Sequence, residues 1–331
     1  MGIGISLILT VALVLVAYVG AEAGLHVLFG AVIPYVAGAT FVAGVIYRVV
    51  RWAMAPVPFR IPTTCGQQKS LPWIRAATFD NPSTAAGVIV RVALEALFFR
   101  SLLRNTRFEL REGPKLAYFW EKWLWLAGLA FHWSLFTIVT RHLRFFTEPV
   151  PSFVRWLEGL DGFFQVGVSA LFLTDVVVLV AATYLFLRRV VIPQVRYISL
   201  PGDYFPLFLI LGVAISGVLM RYFFRVDITA VKELAMGLVT FHPVVPGGIG
   251  TLFYVHLFLV SVLLIYFPFS KLVHMAGIFL SPTRNLANTN RERRHINPWN
   301  YPVKVHTYEE YEEEFRKHMV QAGIPVEKED H

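Results

Sequence analysis

Residues 120–144, WEKWLWLAGLAFHWSLFTIVTRHLR, form an apolar run that is long enough to cross a membrane and yet carries two histidines, His132 and His142. A second apolar run, residues 252–280, also carries two, His256 and His274. An ionisable side chain at membrane depth is costly, and by default it marks a functional site. Histidine pairs on two spans therefore predict metal ligation, and haem iron is the metal best suited to paired imidazoles in a lipid-embedded bundle.

The spacing of the histidines sets geometric conditions on such a site. His256 and His274 lie 18 positions apart. On a continuous helix this is about five turns and roughly 27 Å of rise, so both side chains point the same way. His132 and His142 lie 10 positions apart, which gives roughly 15 Å of rise and a difference of roughly 80° around the axis. The two spans must therefore cross at an angle or bend, and Pro268 is a candidate for the bend.

The composition is that of an integral membrane protein. Of the 331 residues, 56% are hydrophobic and 16% are charged, whereas soluble domains carry about 25% charged residues. The single cysteine, Cys65, excludes an intrachain disulfide, a four-cysteine iron–sulfur site and a CxxCH haem attachment. Any haem must therefore be held by axial ligands. The formal net charge of +8 fits membrane topology and does not indicate nucleic-acid binding.

We predict an all-α integral membrane protein with six transmembrane helices. The predicted spans are residues 2–18, which we interpret as a retained helix rather than a signal peptide, and residues 32–50, 120–144, 163–187, 204–224 and 252–274. Lys and Arg are concentrated in segments 48–122, 188–203 and from residue 271 onward, which by the positive-inside rule places both termini in the cytoplasm. The predicted regions are two N-terminal spans in 1–50, a cytoplasmic segment in 51–117, a four-helix haem-binding core in 118–280 and a soluble cytoplasmic tail in 281–331.

The cytoplasmic segment contains a predicted amphipathic helix over residues 83–107, with an apolar face and a basic face. Asn81-Pro82 is expected to supply its N-cap and first helical position, and Arg91 and Glu95 are spaced to pair along it. Such a helix lies in the membrane interface, and a charged seventh span is the alternative. In the tail, the glutamate-rich run at residues 309–314 is expected to form a solvated helix face or to dock a basic partner.

The topology predicts how the histidines pair. Because spans three and six run in opposite directions, we expect His142 to meet His256 near the outer face and His132 to meet His274 nearer the cytoplasm. Two haems, each held by two histidines, would form an electron path across the bilayer. The alternative of another class is a transporter or proton channel that uses the histidines as relays. A haem-free membrane anchor is weaker because it gives the histidines no purpose.

The histidine pattern, two ten positions apart and then two eighteen apart on the last span, resembles the gamma subunit of respiratory nitrate reductase, a di-haem b quinol-oxidising cytochrome. The resemblance covers roughly residues 118–280. The stretches FDNPSTAAGVIVRVALEALFFRSLLRNTR and FLSPTRN are similar to the M subunit of the Dsr complex of dissimilatory sulfite reduction, which is related to the cytochrome b of membrane heterodisulfide reductase. This implies two b haems and electron exchange between menaquinone and a cytoplasmic iron–sulfur subunit of the heterodisulfide reductase type, in a complex with further subunits. The chain itself is expected to transfer electrons without acting on sulfur substrates.

Two further groups of candidates follow from the same hypothesis. Haem propionates are anionic and need cationic partners, for which the candidates at the outer ends of spans three and five are Arg141, Arg144, Arg221 and Arg225; interfacial snorkelling is the alternative. Quinone chemistry needs titratable groups near the outer haem, and the loop 225–251 offers Asp227, Lys232, Glu233 and His242, each of which is also expected as a plain surface group.

Two more polar residues have expected roles. Asp175, in the fourth span, is expected to accept a hydrogen bond from a buried polar group, with proton relay as the alternative. Cys65 is expected to be an ordinary thiol, and the alternative is a role beside an iron–sulfur cluster of the partner.

Overall fold

The computed structural model describes residues 2–55, 66–113, 115–166, 169–289 and 305–327, and these ranges are predominantly helical. Cys65 lies outside the described residues. In chain order the helices are α1 (Gly2–Glu22), a π-helical turn (Leu28–Val32), α2 (Ile33–Ala53), α3 (Ala85–Phe98), α4 (Arg100–Leu103), α5 (Lys122–Phe146), α6 (Ser152–Asp161), α7 (Leu173–Val191), α8 (Pro193–Ile198), α9 (Pro201–Tyr222), α10 (Ile228–Val239), α11 (Thr251–Tyr266), α12 (His274–Leu280), α13 (Pro282–Asn285) and α14 (Tyr308–Gln321). Two antiparallel hairpins pair β1 (Thr106–Arg111) with β2 (Lys115–Trp120) and β3 (Gly162–Val166) with β4 (Ser169–Phe172).

The long helices have the length and surface of membrane spans. In the described part of the chain, five segments are long and apolar enough to cross a membrane, namely Gly2–Glu22, Leu28–Ala53, Lys122–Phe146, Pro201–Tyr222 and Thr251–Phe269. Large apolar side chains cover their outer surface. The protein is therefore an all-α integral membrane protein. Helix α7 has 19 residues and includes Asp175, Arg188 and Arg189; whether it completes a set of six spans stays a prediction.

The start predicted for the fourth span is wrong. Residues 162–172 form the hairpin β3–β4, and α7 begins only at Leu173. Asp161 fixes this boundary from outside the helix, because its carboxylate accepts hydrogen bonds from Thr174 N at 2.9 Å and from Thr174 Oγ1 at 2.6 Å. A side-chain acceptor thus satisfies one of the backbone N–H groups that the first turn of α7 leaves unpaired.

The last span is broken, as the proline within it suggested. Helix α11 ends at Tyr266, two 3₁₀ turns follow, and α12 begins at His274. Pro268 has no N–H to continue the helical ladder, and its buried ring lies against Gly44 of α2, where an added Cβ would come within 2.6 Å of Pro268 Cβ. Arg48 Nε donates to the carbonyl of Pro268 at 2.9 Å. The expectation that His256 and His274 share one face of a continuous helix is therefore wrong.

The packing order of the spans determines which helices face each other. Helix α5 packs on α7, α7 on α9 and α9 on α11, while α1 and α2 pack against α11. One core cluster, which includes Phe131 and Ile210, joins α5, α7 and α9. A second, which includes Leu234 and Leu259, joins α1, α9, α10 and α11. The main backbone neighbours of α5 and α11 are thus different helices, and the histidine-bearing segments approach each other through their side chains.

The predicted helix over residues 83–107 is shorter and divided. Thr84, and not Asn81, is the N-cap of α3, because Thr84 Oγ1 accepts from Gly87 N at 3.2 Å. The helix ends at Phe99, whose φ is 51°. Asn81 is buried instead, and its Nδ2 donates to the carbonyl of Gly66 at 3.3 Å. Arg91 is only 3% exposed, so it is not part of an exposed basic face.

Asp80 ties the α3–α4 segment together. Its carboxylate forms ion pairs with Arg100 at 3.2 Å and with Arg104. Burial acts to raise the pKa of Asp80, but the hydrogen bonds and charges of the two arginines outweigh it and lower the pKa below its ordinary value. The segment is therefore held by charge as well as by packing.

Helix α3 is attached to the same end of the bundle that carries His132 and His274. The indole N–H groups of Trp125 and Trp133, both on α5, donate to Phe98 O at 2.7 Å and to Leu97 O at 2.9 Å. These carbonyls belong to the last turn of α3, where no intrahelical donor is available. Helix α3 also packs on α12 and α13.

The longer of the two helices described in the tail is α14, which starts with a capping box between Thr307 and Glu310. The expectation of a solvated glutamate face is wrong for one member. Glu312 is 2% exposed and accepts hydrogen bonds from Arg316 at 3.1 Å and from the backbone N of Glu327 at 2.9 Å. The buried carboxylate folds the chain after α14 back onto the helix.

The contact between Gly44 and Pro268 gives a test of the break in the last span. We expect Gly44→Ala to destabilise the protein by about 1–3 kcal/mol, because the added methyl group overlaps a rigid proline ring. Gly38→Ala on the same helix is the matched control, since an added Cβ there meets nothing within 4 Å. Thermal unfolding in lipid nanodiscs measures both, and equal melting temperatures for the two variants would contradict the contact.

Candidate functional site

His132 and His274 lie side by side at one end of the bundle. Their ring centroids are 5.9 Å apart and their planes are inclined by 81°. Phe99, which follows α3, packs edge-on against His132 at 4.9 Å between centroids. The break in the last span makes this approach possible, because it detaches α12 from α11 and places His274 at the first position of a new helix.

His142 and His256 are the second predicted pair. His142 lies ten positions after His132 on α5, and His256 lies on α11. Their imidazoles lie within the range of direct electrostatic interaction. His256 also packs on α9, where a Cβ added at Gly217 would lie 3.4 Å from His256 Cε1. The structure therefore brings His132, the early histidine of α5, against His274, the late histidine of the last span, and places His142 near His256. That either pair ligates a metal stays a prediction.

Every one of the four rings is anchored through Nδ1. The Nδ1 atoms of His132 and His142 lie 2.7 Å from the carbonyl oxygens of Gly128 and Ile138, each four positions earlier on α5. The Nδ1 of His274 lies 2.8 Å from the carbonyl oxygen of Lys271. A carbonyl oxygen can only accept, so Nδ1 carries the proton in each of these rings.

Ser216 anchors the fourth ring. Ser216 Oγ lies 2.9 Å from His256 Nδ1 and donates its own proton to the carbonyl of Gly212 or Val213, at 2.8 Å or 2.9 Å. The hydroxyl is therefore left as an acceptor for the N–H of His256. Within the described ranges, no hydrogen bond occupies Nε2 of any of the four rings, so each presents a lone pair there.

The pair formed by His132 and His274 suits a metal ion that brings its own equatorial ligands. Two imidazoles on one ion, with bonds of roughly 2 Å and roughly 1.1 Å from each nitrogen to its ring centre, need centroids roughly 6 Å apart. The separation of 5.9 Å between His132 and His274 meets this condition. Among the described residues, no group of three or more His, Cys, Asp or Glu side chains is arranged to hold a metal ion. A donor set of two neutral imidazoles matches the axial positions of a haem.

A buried charge network lies next to His142. Arg141 is 7% exposed, and its guanidinium pairs with Asp161 at 3.0 Å and with Asp175 at 2.7 Å. Asp175 also accepts from the Tyr222 hydroxyl at 2.9 Å, which fits the structural role expected for it. The ring of Phe172 lies between Arg141 and Arg221, whose Cζ atoms are 3.8 Å and 3.9 Å from its centroid. These contacts join α5, α7 and α9.

The four arginines predicted to bind propionates have different surroundings. Arg141 is already paired with two carboxylates, Arg144 pairs with Glu158 at 3.0 Å, and Arg221 donates to the carbonyl of Ala170 at 3.2 Å. Arg225 is exposed, and within the described residues it forms no ion pair or hydrogen bond. Propionate binding stays a prediction for all four.

The four residues predicted for a quinone site are not gathered into one cluster. Asp227 caps α10, accepting from Thr229 N at 2.8 Å and from Ala230 N at 3.2 Å. Lys232 forms an ion pair with Glu148. Glu233 is exposed, and the exposed His242 has its Nδ1 2.8 Å from the carbonyl of Thr240 in its own turn. Their role in quinone binding stays a prediction.

Several residues of the site were missed in the sequence. Ser216 has a weak signal, because Gly212 and Ser216 lie four positions apart in an otherwise apolar span and mark a small-residue strip where another side chain can approach. Asp161 and Tyr222 have no signal in the sequence, because their roles depend on the hairpin β3–β4. The apolar run 163–187 predicted a membrane span at the position of this hairpin.

The comparisons with known proteins agree with the histidine pattern. The family model described as nitrate reductase gamma subunit matches residues 92–290, which include all four histidines. An Archaeoglobus fulgidus protein named Hdr-like menaquinol oxidoreductase cytochrome b-like subunit is 50% identical over 281 residues, covering 82% of this chain and 83% of that protein. A protein of the same name from Archaeoglobus profundus is 45% identical over 274 residues, covering 81% of each chain.

The charge network gives a test of its structural role. We expect Arg141→Leu to lower the free energy of unfolding by about 3–5 kcal/mol, because it leaves two buried carboxylates without their cation. Arg144→Leu is the matched control; its pair with Glu158 is 40% and 20% exposed and should contribute about 1 kcal/mol or less. Unfolding titrations in mixed detergent micelles measure both changes. Losses of equal size would show that Arg141 is not the buried junction of these helices.

Proposed function

Because this chain belongs to the family of the nitrate reductase gamma subunit, we propose that it is a membrane cytochrome with two b haems in a quinone-linked electron-transfer complex. The observation that supports the proposal is the anchoring of four imidazoles through Nδ1, together with the approach of His132 to His274 at 5.9 Å between ring centroids. A haem b at each pair supplies a carrier of one electron. With two histidines as ligands, such a group would supply electron transfer and would leave no site for oxygen.

The chain's own part in this function is to hold and orient the ligands. His142 and His256 are proposed as the axial ligands of one haem, and His132 and His274 as those of the other. A hydrogen bond at Nδ1 fixes the tautomer and the orientation of the ring, and it raises the basicity of Nε2. Helix carbonyls do this for three rings and Ser216 does it for His256. Of the propionate candidates, Arg225 is the one for which the described residues offer no ion pair or hydrogen bond.

The electron path is proposed to run along α5. Menaquinol would exchange electrons with the haem of His142 and His256, and an iron–sulfur protein with the haem of His132 and His274. The name of the Archaeoglobus relatives, which are 50% and 45% identical, supports the quinol side.

The other end of the path is proposed to meet a cytoplasmic subunit of the heterodisulfide reductase type. The described segment 66–103, which includes α3 and α4 and is attached beside His132, exposes Trp73 by 78% and Ile89 by 69%, and such apolar surface outside the spans suits a protein partner. We propose that both termini lie on that side of the membrane. The chain would then serve sulfate or sulfite respiration, as the M subunit of the Dsr complex does.

Haem content tests the ligand assignment. We expect the purified protein to bind two b haems per chain, and each of the variants His132→Ala, His142→Ala, His256→Ala and His274→Ala to lose one, because a single axial imidazole does not retain haem in the bundle. Pyridine haemochrome quantification measures this. The control is His242→Ala, which should retain both haems. A wild-type protein without iron would favour a histidine relay instead.

The hydrogen bond between Ser216 and His256 gives a finer test. Removing the acceptor in Ser216→Ala lowers the basicity of the imidazole, which disfavours ferric iron. We expect the midpoint potential of one haem to rise by roughly 30–60 mV, where about 59 mV corresponds to a tenfold change for a one-electron couple. Spectroelectrochemical titration measures it.

The matched control for this titration is Ser261→Ala. Ser261 is also buried, but it donates to Leu257 O of its own helix, so both potentials should stay unchanged. Identical titrations for the Ser216 and Ser261 variants would contradict the role of Ser216.

A further inference from the structure

A polar seam forms where the connection between α1 and α2 meets the start of α11. His26 stacks on Tyr254, with ring centroids 4.8 Å apart and planes within 10° of parallel. Beside this stack, Glu22 at the end of α1 accepts a hydrogen bond from Thr251 Oγ1 at 2.5 Å. An imidazole, a phenol and a carboxylate therefore lie together at the end of the bundle where α11 begins. The family model that matches residues 92–290 does not cover His26 or Glu22.

In the described part of the chain, the polar atoms of the stacked pair have no hydrogen-bond partner. Tyr254 is 2% exposed, and within the described residues its hydroxyl forms no hydrogen bond. The ring nitrogens of His26 also form none there, although the side chain itself is exposed. The Tyr254 ring is buried, but its hydroxyl is not among the buried polar atoms that lack a partner, so it reaches the surface of the bundle. A hydroxyl at this position can donate to and accept from a molecule that binds there. The seam therefore offers donors and acceptors to a ligand.

The backbone beside the stack is irregular. Gly30 lies in the π-helical turn Leu28–Val32, a kind of turn that is frequent at functional sites. A Cβ at Gly30 would lie 3.3 Å from Tyr254 Cε1 and 3.6 Å from Val245 Cγ1, so only glycine leaves this face of the tyrosine uncrowded. Val245 belongs to the connection between α10 and α11, in which Gly250 has a φ of 92°.

The seam lies one helix away from His256. Tyr254 and His256 lie two positions apart on α11. This spacing gives about 3 Å of rise and roughly 200° of rotation, so the two side chains occupy opposite sides of the helix. His256 faces Ser216 on α9, whereas Tyr254 faces His26. A ligand in the seam is thus separated from His256 by about one helix diameter, roughly 10 Å.

We propose that this seam binds the head group of a quinol, in place of the loop residues Asp227, Lys232, Glu233 and His242. The proposal rests on the proposed quinol-linked function. A quinol head group is a flat aromatic ring with a hydroxyl at each end, and the seam presents aromatic faces together with the polar atoms of His26, Tyr254 and Glu22. Oxidation of one quinol to a quinone releases two protons and two electrons, and the haems that the four histidines would hold would supply the electron acceptors. His26 and Glu22 accept the protons and, being exposed, pass them to water.

Binding of a quinol analogue tests the seam directly. A fluorescent hydroxyquinoline N-oxide, whose emission is quenched on binding, is titrated into the full-length protein in lipid nanodiscs. We expect His26→Gln and Tyr254→Phe each to weaken binding about tenfold, the loss that corresponds to one good hydrogen bond. Haem content and reduction by dithionite should stay at wild-type values. The control is His242→Gln, another exposed histidine near this end of the bundle, which should bind as the wild type does.

The outcomes separate this proposal from the function on which it rests. If His242→Gln or Asp227→Asn weakens binding and the seam variants do not, the seam is overturned in favour of the loop. If a haem-loaded wild-type protein does not bind the analogue, the seam is overturned while the cytochrome assignment stands. A protein without haem would refute the proposed function, and the titration would still report whether His26 and Tyr254 hold the analogue.

Discussion

The structure depends on one constraint, that an imidazole inside a lipid-embedded bundle must satisfy its N–H from within the protein. His132, His142 and His274 use backbone carbonyls, and His256 uses Ser216. In each ring the bond is made by Nδ1, which leaves Nε2 directed away from its own anchor. Four such rings are a costly arrangement for a membrane protein, and the metal proposed at Nε2 would offset the cost.

The packing of the helices positions the four histidines. The packing order through α7 and α9 separates the backbones of α5 and α11, so the histidines meet through their side chains. The proline break in the last span turns α12 so that His274 reaches His132, and the close fit of Pro268 against Gly44 holds the break in place. At the other end, Arg141 locks α5 to α7 through two buried carboxylates. Close packing thus supports the end of the bundle with His132 and His274, and ion pairs support the end with His142.

The sequence predicted the features that depend on chain direction and hydropathy. The membrane class and five of the predicted spans follow from apolar length, and the approach of His132 to His274 follows from antiparallel neighbours. The break after Tyr266 was only half predictable, because a proline shows where a helix can bend but not that α12 starts a new direction. The hairpin β3–β4 was missed because its residues are as apolar as a span. Ser216 and Asp161 were missed because their partners, His256 and Thr174, are distant in sequence or depend on that hairpin.

A density map of the purified protein in lipid, at a resolution that shows side chains, tests the central claim most directly. The account predicts two flat macrocycles between α5 and the last span, one bonded at Nε2 to His132 and His274 and the other to His142 and His256. A map in which either pair of rings contacts lipid or its partner ring, with no macrocycle between the two rings, would contradict the account.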